Sequence, residues 1–160
     1  MNGTFPQLIL ASLGAILMIC CAISDLRWRE ISNGLNGLIA LLAIPFWVAV
    51  GWPLWPDVPL QIGAALAVFV CFLLLYMLNA MGAGDVKNVF AVMLWVPLPI
   101  FMPALTVMAL AGAAVSGAML IWLIAKRPEK KPEVPYGVAI AAAGLWSLHQ
   151  QYLNQFRFIG

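Results

Sequence analysis

The sequence predicts an all-α, polytopic membrane protein of about six transmembrane helices with no soluble domain, and three observations carry that prediction. Hydrophobic residues make up 64% of the chain and charged residues only 9%, against roughly 25% charged in a soluble domain. So little polar surface does not cover a water-soluble globule. The apolar residues fall in runs near the ~20 that a membrane helix needs. The charged residues gather in the breaks between those runs.

The first run extends from about Pro6 to Ser24. Nothing basic precedes it, and the first positive charge, Arg27, follows it, which is the reverse of a cleavable signal. The span is therefore expected to stay in the protein. A polar stretch from Asp25 to Asn33 separates it from a second run, about Gly34 to Trp52. A Pro- and Trp-rich turn, Gly51 to Pro59, punctuates the chain there. The third run is about Leu60 to Leu78, closed by the polar break Asn79 to Lys87. The stretch from Asn88 to Ala125 is too long for one span, and Pro97, Pro99 and Pro103 interrupt it. It divides into a short fourth span, about Val86 to Val96, and a fifth, about Pro103 to Ala125. A basic loop, Lys126 to Glu133, leads to a sixth span, about Tyr136 to Tyr152. The sequence has no internal repeat, and residues 1–160 read as a single membrane domain.

Charge gives the orientation. All the Lys and Arg residues except Arg157 fall in the breaks after spans one, three and five. With six spans those breaks share one side, and the positive-inside rule makes that side the cytoplasm. Trp28, Tyr76, Trp122 and Tyr136 then lie near the inner interface, and Trp52 and Trp55 near the outer one. The expected location is a bacterial inner membrane.

The three cysteines, Cys20, Cys21 and Cys71, lie in apolar runs and form no C-x-x-C pair. They read as packing residues, not as a zinc module or a disulfide framework. His149 is the only histidine and falls near the outer end of span six. Ser-His or Cys-His catalysis and a histidine metal site therefore lack their parts, and no cofactor is expected. Nothing suggests a nucleic-acid partner.

Of the six acidic residues, Asp57, Glu129 and Glu133 belong to solvated loops. Asp25 and Asp85 differ, because each stands at the edge of an apolar span on the same side. Spans two and three carry the chain out and back, so two carboxylates far apart in sequence can meet. An ionised Asp costs about 2.5–3.5 kcal/mol at the centre of a membrane helix and less at its edge. On topology alone, each could equally be a helix cap or flank. Gly82 and Gly84 tilt the balance, because two glycines beside Asp85 let a backbone approach its carboxyl closely. Paired carboxylates share a proton. One can act as general base on a water while the other polarises a peptide carbonyl and protonates the leaving amine.

Asp25, Arg27, Ile31 and Asn33 fit the pattern D-x-R-x-x-x-I-x-N. Gly82, Gly84, Asp85 and Lys87 fit G-x-G-D-x-K, and Pro135, Tyr136 and Gly137 fit Pro-Phe/Tyr-Gly. In these elements and their order the chain resembles the type IV prepilin peptidases, which are GxGD intramembrane aspartic peptidases. The resemblance implies Asp25 and Asp85 as the catalytic pair of a six-helix peptidase. The substrate would be a prepilin, whose short basic leader is cleaved on the cytoplasmic side, before its hydrophobic helix. The chain lacks the zinc-binding cysteine domain of the larger members. It looks like the short, peptidase-only kind that serves Flp/Tad pili, with no N-methylation implied.

Other residues carry expectations of their own. Arg27 and Arg29 read as anchors whose charged heads reach the headgroups, with a supporting role at the site as the alternative, which the motif gives to Arg27 together with Pro135, Tyr136 and Gly137. Lys87 would favour an ionised carboxylate if it came near the dyad. Asn33 reads as a helix cap and Asn36 as polar packing. Gly82 and Gly84 serve backbone shape, and Gly112 with Ser116 and Ala113 with Gly117 permit close packing of span five. Two other classes of function remain open at this level: a proton-coupled transporter, since intramembrane acids often mark ion paths, and a non-catalytic pilus or secretion assembly subunit.

Overall fold

The computed structural model describes residues 4–126 and 134–157, with side chains over 5–126 and 134–151. Among the described residues it is helical throughout, without a strand. In chain order the helices are α1 (Thr4–Trp28), α2 (Asn33–Val50), α3 (Asp57–Met77), α4 (Ala83–Met93), α5 (Phe101–Lys126) and α6 (Tyr136–Arg157). A single 3-10 turn, Leu98–Ile100, precedes α5. Of the basic loop expected at Lys126 to Glu133, only Lys126 lies within the described residues.

The six expected elements are present as helices, and four segments are long and apolar enough to cross a membrane: Phe5–Trp28, Asn33–Val50, Asp57–Met77 and Leu98–Lys126. Helix α4 is different. Its 11 residues rise about 16 Å, roughly half of a ~30 Å hydrocarbon core. It begins at Ala83, earlier than the expected Val86, and ends at Met93 instead of Val96. The rest of that segment is a turn and the 3-10 turn, because Pro97 and Pro99 break the helical hydrogen-bond ladder. Pro103 lies in the first turn of α5, where its missing N–H removes no bond. Helix α6 carries Ser147, His149, Gln150 and Gln151, which make it more polar than the other long helices.

Local chemistry ends the helices where the site needs them to end. Gly51 takes a left-handed φ of 80° after α2, with the Trp52 N–H donating to Trp47 O and the Gly51 N–H to Val48 O. Asn79 takes φ 57° after α3, with Ala80 donating to Leu75 O and Asn79 to Tyr76 O. Both are Schellman closures. Helix α1 stops at Arg29, again left-handed at φ 56°, whose N–H donates to Asp25 O. Ser32 opens α2 by accepting from the Leu35 N–H at 3.2 Å.

Helix α4 is the centre of the packing. It lies against α2, α3 and α6, while α1 packs on α2 and α6, and α5 packs on α6. Val86, Val89, Ala91, Val92 and Met93 are buried, as are Trp95 and Val96 beyond the helix end. A helix that ends inside the molecule leaves carbonyls without partners, and side chains from three neighbours supply them. The Gln61 amide of α3 donates to Met93 O at 2.7 Å and Val96 O at 2.6 Å. The Trp47 indole of α2 donates to Leu94 O at 2.9 Å. Gln151 of α6 donates to Trp95 O at 3.0 Å. Trp95 itself is fully buried, stacks on Phe46, and donates its indole N–H to Ile39 O at 3.0 Å.

Candidate active site

Helix α1 continues past Ser24, so Asp25 stands on its last full turn and not in a loop. Its side chain is 4% exposed. The Gly137 backbone N–H, in the first turn of α6, donates to Asp25 Oδ2 at 2.7 Å. Asp25 thus caps a helix distant in sequence, by the same physics that makes a carboxylate a good N-cap on its own helix. Gly137 is close enough that a Cβ there would lie 2.8 Å from Asp25 Oδ2 and 2.9 Å from Asp25 Cβ. Only glycine fits against the carboxyl without moving it.

Asp85 is the third residue of α4, and its side chain is 8% exposed. The unpaired N–H groups and the dipole of a helix's first turn favour negative charge there. Gly82 precedes the helix in an extended conformation, and a Cβ there would stand 3.1 Å from Asp85 Oδ2. A Cβ at Gly84 would stand 3.4 Å from Ile31 O. The expected service of these glycines is therefore a steric one, leaving room for the carboxylate and for the chain between α1 and α2. Ile31 also touches the Gly137 side, with its Cδ1 3.0 Å from where a Cβ would be. This one buried side chain lies against the chain segments that carry both aspartates' neighbours.

Both aspartates line one cavity of about 690 Å³. Gly82, Gly84, Lys87, Asn33 and Tyr136 line it too. Two hydrogen bonds tie the start of α2 to the second polar break: Lys87 Nζ donates to Asn33 Oδ1 at 2.8 Å, and Asn36 Nδ2 donates to Gly84 O at 3.2 Å. Asn33 therefore partners Lys87; the cap of α2 is Ser32. Pro135 is buried at the entry to α6, and Gly137 reaches the cavity only through Asp25.

Some expected residues lie elsewhere. The Arg27 guanidinium lies over the Trp28 ring, 5.5 Å from its centroid, outside the cavity. Arg29, expected like Arg27 to act as an anchor, also lines the cavity, where the left-handed turn after α1 directs it. His149 is exposed and lines no cavity described here. Gly112 does pack closely, against Ala139 and Tyr136 of α6, but a Cβ at Gly117 would meet nothing within 4 Å. Tyr76, Asn79 and Glu30 also line the cavity. Tyr76 was expected only as an inner-interface aromatic, and Asn79 only as the opening of the second polar break.

Two buried carboxylates on one water-accessible cavity, at the ends of helices that bring a glycine amide and glycine surfaces against them, suit hydrolysis of an extended peptide. Comparison with protein families matches residues 12–126 to the Type IV leader peptidase family. The matched stretch contains both aspartates and stops short of Gly137. No curated protein and no solved structure matches the chain.

Proposed function

The chain belongs to the Type IV leader peptidase family, and from that premise we propose that it is an aspartic endopeptidase that uses Asp25 and Asp85 to remove the basic leader of Flp-type prepilins at the cytoplasmic face of the inner membrane. The observation that carries the reading is that both carboxylates line the same cavity although they come from α1 and α4. One carboxylate takes a proton from water as its oxygen attacks the scissile carbonyl. The other, protonated, hydrogen-bonds the carbonyl oxygen and stabilises its developing charge. The tetrahedral intermediate then collapses, the C–N bond breaks, and a carboxyl proton passes to the leaving amine. The leader leaves with a new carboxylate and the pilin with a new amino terminus.

In this reading the Gly137 amide holds Asp25 in one orientation. Asn33, held to Lys87, and Asn36, held to Gly84, keep the start of α2 and the second polar break in register. Tyr136 and the glycine surfaces at Gly82 and Gly84 shape the peptide path. Arg27 remains outside it, as an interfacial anchor.

The capping contact gives the test its form. Asparagine keeps an oxygen that accepts from Gly137, so Asp25→Asn retains the cap and loses the proton chemistry. Asp25→Asn and Asp85→Asn are each expected to abolish leader cleavage of a co-expressed, tagged prepilin, read by gel shift and N-terminal sequencing, at wild-type membrane levels. Cleavage that survives in either variant removes that residue from the chemistry and returns the transport and assembly readings to the front.

A further inference from the structure

We propose that the apolar groove between α3 and α5 seats the first turns of the substrate's hydrophobic helix while the leader lies in the polar cavity; this rests on the leader-peptidase reading. The groove encloses about 590 Å³. Phe72 and Leu75 form its α3 wall, Ala109, Ala113 and Ser116 its α5 wall, and Ile140 lies on the α6 side. Leu75, Ala109 and Ala113 are exposed, so the groove opens outward between two helices whose surfaces are largely lipid-facing.

Continuity identifies the occupant. Ala80, Met81 and Tyr136 line both the groove and the polar cavity. A chain leaving the aspartates past Tyr136 therefore enters the groove directly. The chemistry changes across that boundary, from charged and amide groups on one side to almost wholly apolar groups on the other. An extended segment in the groove would leave backbone N–H and C=O groups unsatisfied in hydrocarbon, at several kcal/mol each. The fitting occupant is a helix with an apolar surface, joined to an extended polar segment at its N-terminal end. The small side chains of the α5 wall let such a helix approach the α5 backbone closely. Gly112, which meets α6, lines the groove together with Ala113 and Ser116.

Two readouts test this. Ala113→Trp fills the groove; Ala114→Trp, on the outward side of the same helix, is the control. Each is assayed on full-length prepilin and on a soluble peptide that spans the cleavage site and lacks the helix. Ala113→Trp is expected to lower kcat/KM for the full prepilin at least 10-fold while leaving the short peptide and the control unchanged. A photo-crosslinker placed at residue 113 or 114 in the Asp85→Asn protein is expected to capture the prepilin helix from 113 alone. Undiminished cleavage of full prepilin by Ala113→Trp overturns the proposal, as does equal loss on both substrates or capture only of lipid. Capture at 113 with no cleavage by the wild-type protein would keep the groove and discard the peptidase reading; absence of both discards the two together.

Discussion

At the scale of single residues, Gly137 is the least forgiving position near the aspartates. Its amide is 2.7 Å from Asp25 Oδ2 and its missing Cβ would collide with the same carboxyl. Gly137→Ala is expected to displace Asp25 by a fraction of an ångström and slow leader cleavage by roughly 10-fold, since a full ångström of misplacement can cost about 100-fold, with little change in membrane abundance. A leader-cleavage time course beside an immunoblot checks it. Gly137 and both aspartates were legible in the sequence, because their neighbours form short patterns with narrow residue choice. The bond from Asn36 to Gly84 was not. Asn36 looks like any polar residue in an apolar run, and only the approach of α2 to α4 decides which carbonyl it meets. The place of Arg29 on the cavity was hidden for a related reason: a left-handed residue after a helix is invisible when it is not glycine, since arginine rarely takes that conformation.

At the scale of elements, helix existence was legible and helix depth was not. Apolar runs announced α2, α3 and α5 almost to their ends, because each closes on a break the sequence displays, whereas α1 runs four residues past Ser24 into the polar stretch. The shortness of α4 follows from partners far away in sequence. Gln61 sits in the middle of an apolar helix and reads as a blemish until its two carbonyl acceptors are seen. Gln61→Leu removes both bonds; Met93 O keeps the Val96 N–H at 3.2 Å, while Val96 O loses the Gln61 donor. A buried group left unsatisfied costs about 1–3 kcal/mol. The variant is therefore expected to unfold several degrees lower in detergent, measured by a thermal scan, and to lose activity in step with the population that melts. Wild-type melting behaviour would show that the α4 end is held by Trp47 and Gln151 alone.

For the whole molecule, the arrangement of charge and the arrangement of chemistry coincide. Asp25, Asp85, Arg29 and Lys87 share one cavity at one end of the bundle, and α2 and α3 place Trp55 and Asp57 at the other. If the positive-inside rule holds, a cysteine at Lys87 reacts with a membrane-impermeant maleimide only after the inner membrane is opened. One at Asp57 reacts in cells whose outer membrane alone has been permeabilised. The reverse pattern would put the cavity outside and remove the prepilin leader as its substrate. The expected orientation rests on composition alone, because it needs only the side of each break. The apolar groove was not readable, since it is made of what α3 and α5 leave unfilled between them.

The clamp on α4 also has a consequence in time. Gln61 and Trp47 are made before α4, but Gln151 and the Gly137 amide arrive only with α6. A chain emerging from the ribosome therefore carries Asp25 through the insertion machinery well before the Gly137 amide reaches it. On the leader-peptidase reading, competence would then come at the last step of synthesis, and neighbouring nascent membrane proteins would meet an inert precursor. A chain stopped after Lys126 should insert and cleave nothing, and supplying residues 127–160 as a separate polypeptide should restore cleavage; activity in the stopped chain alone would mean the aspartates are set without α6.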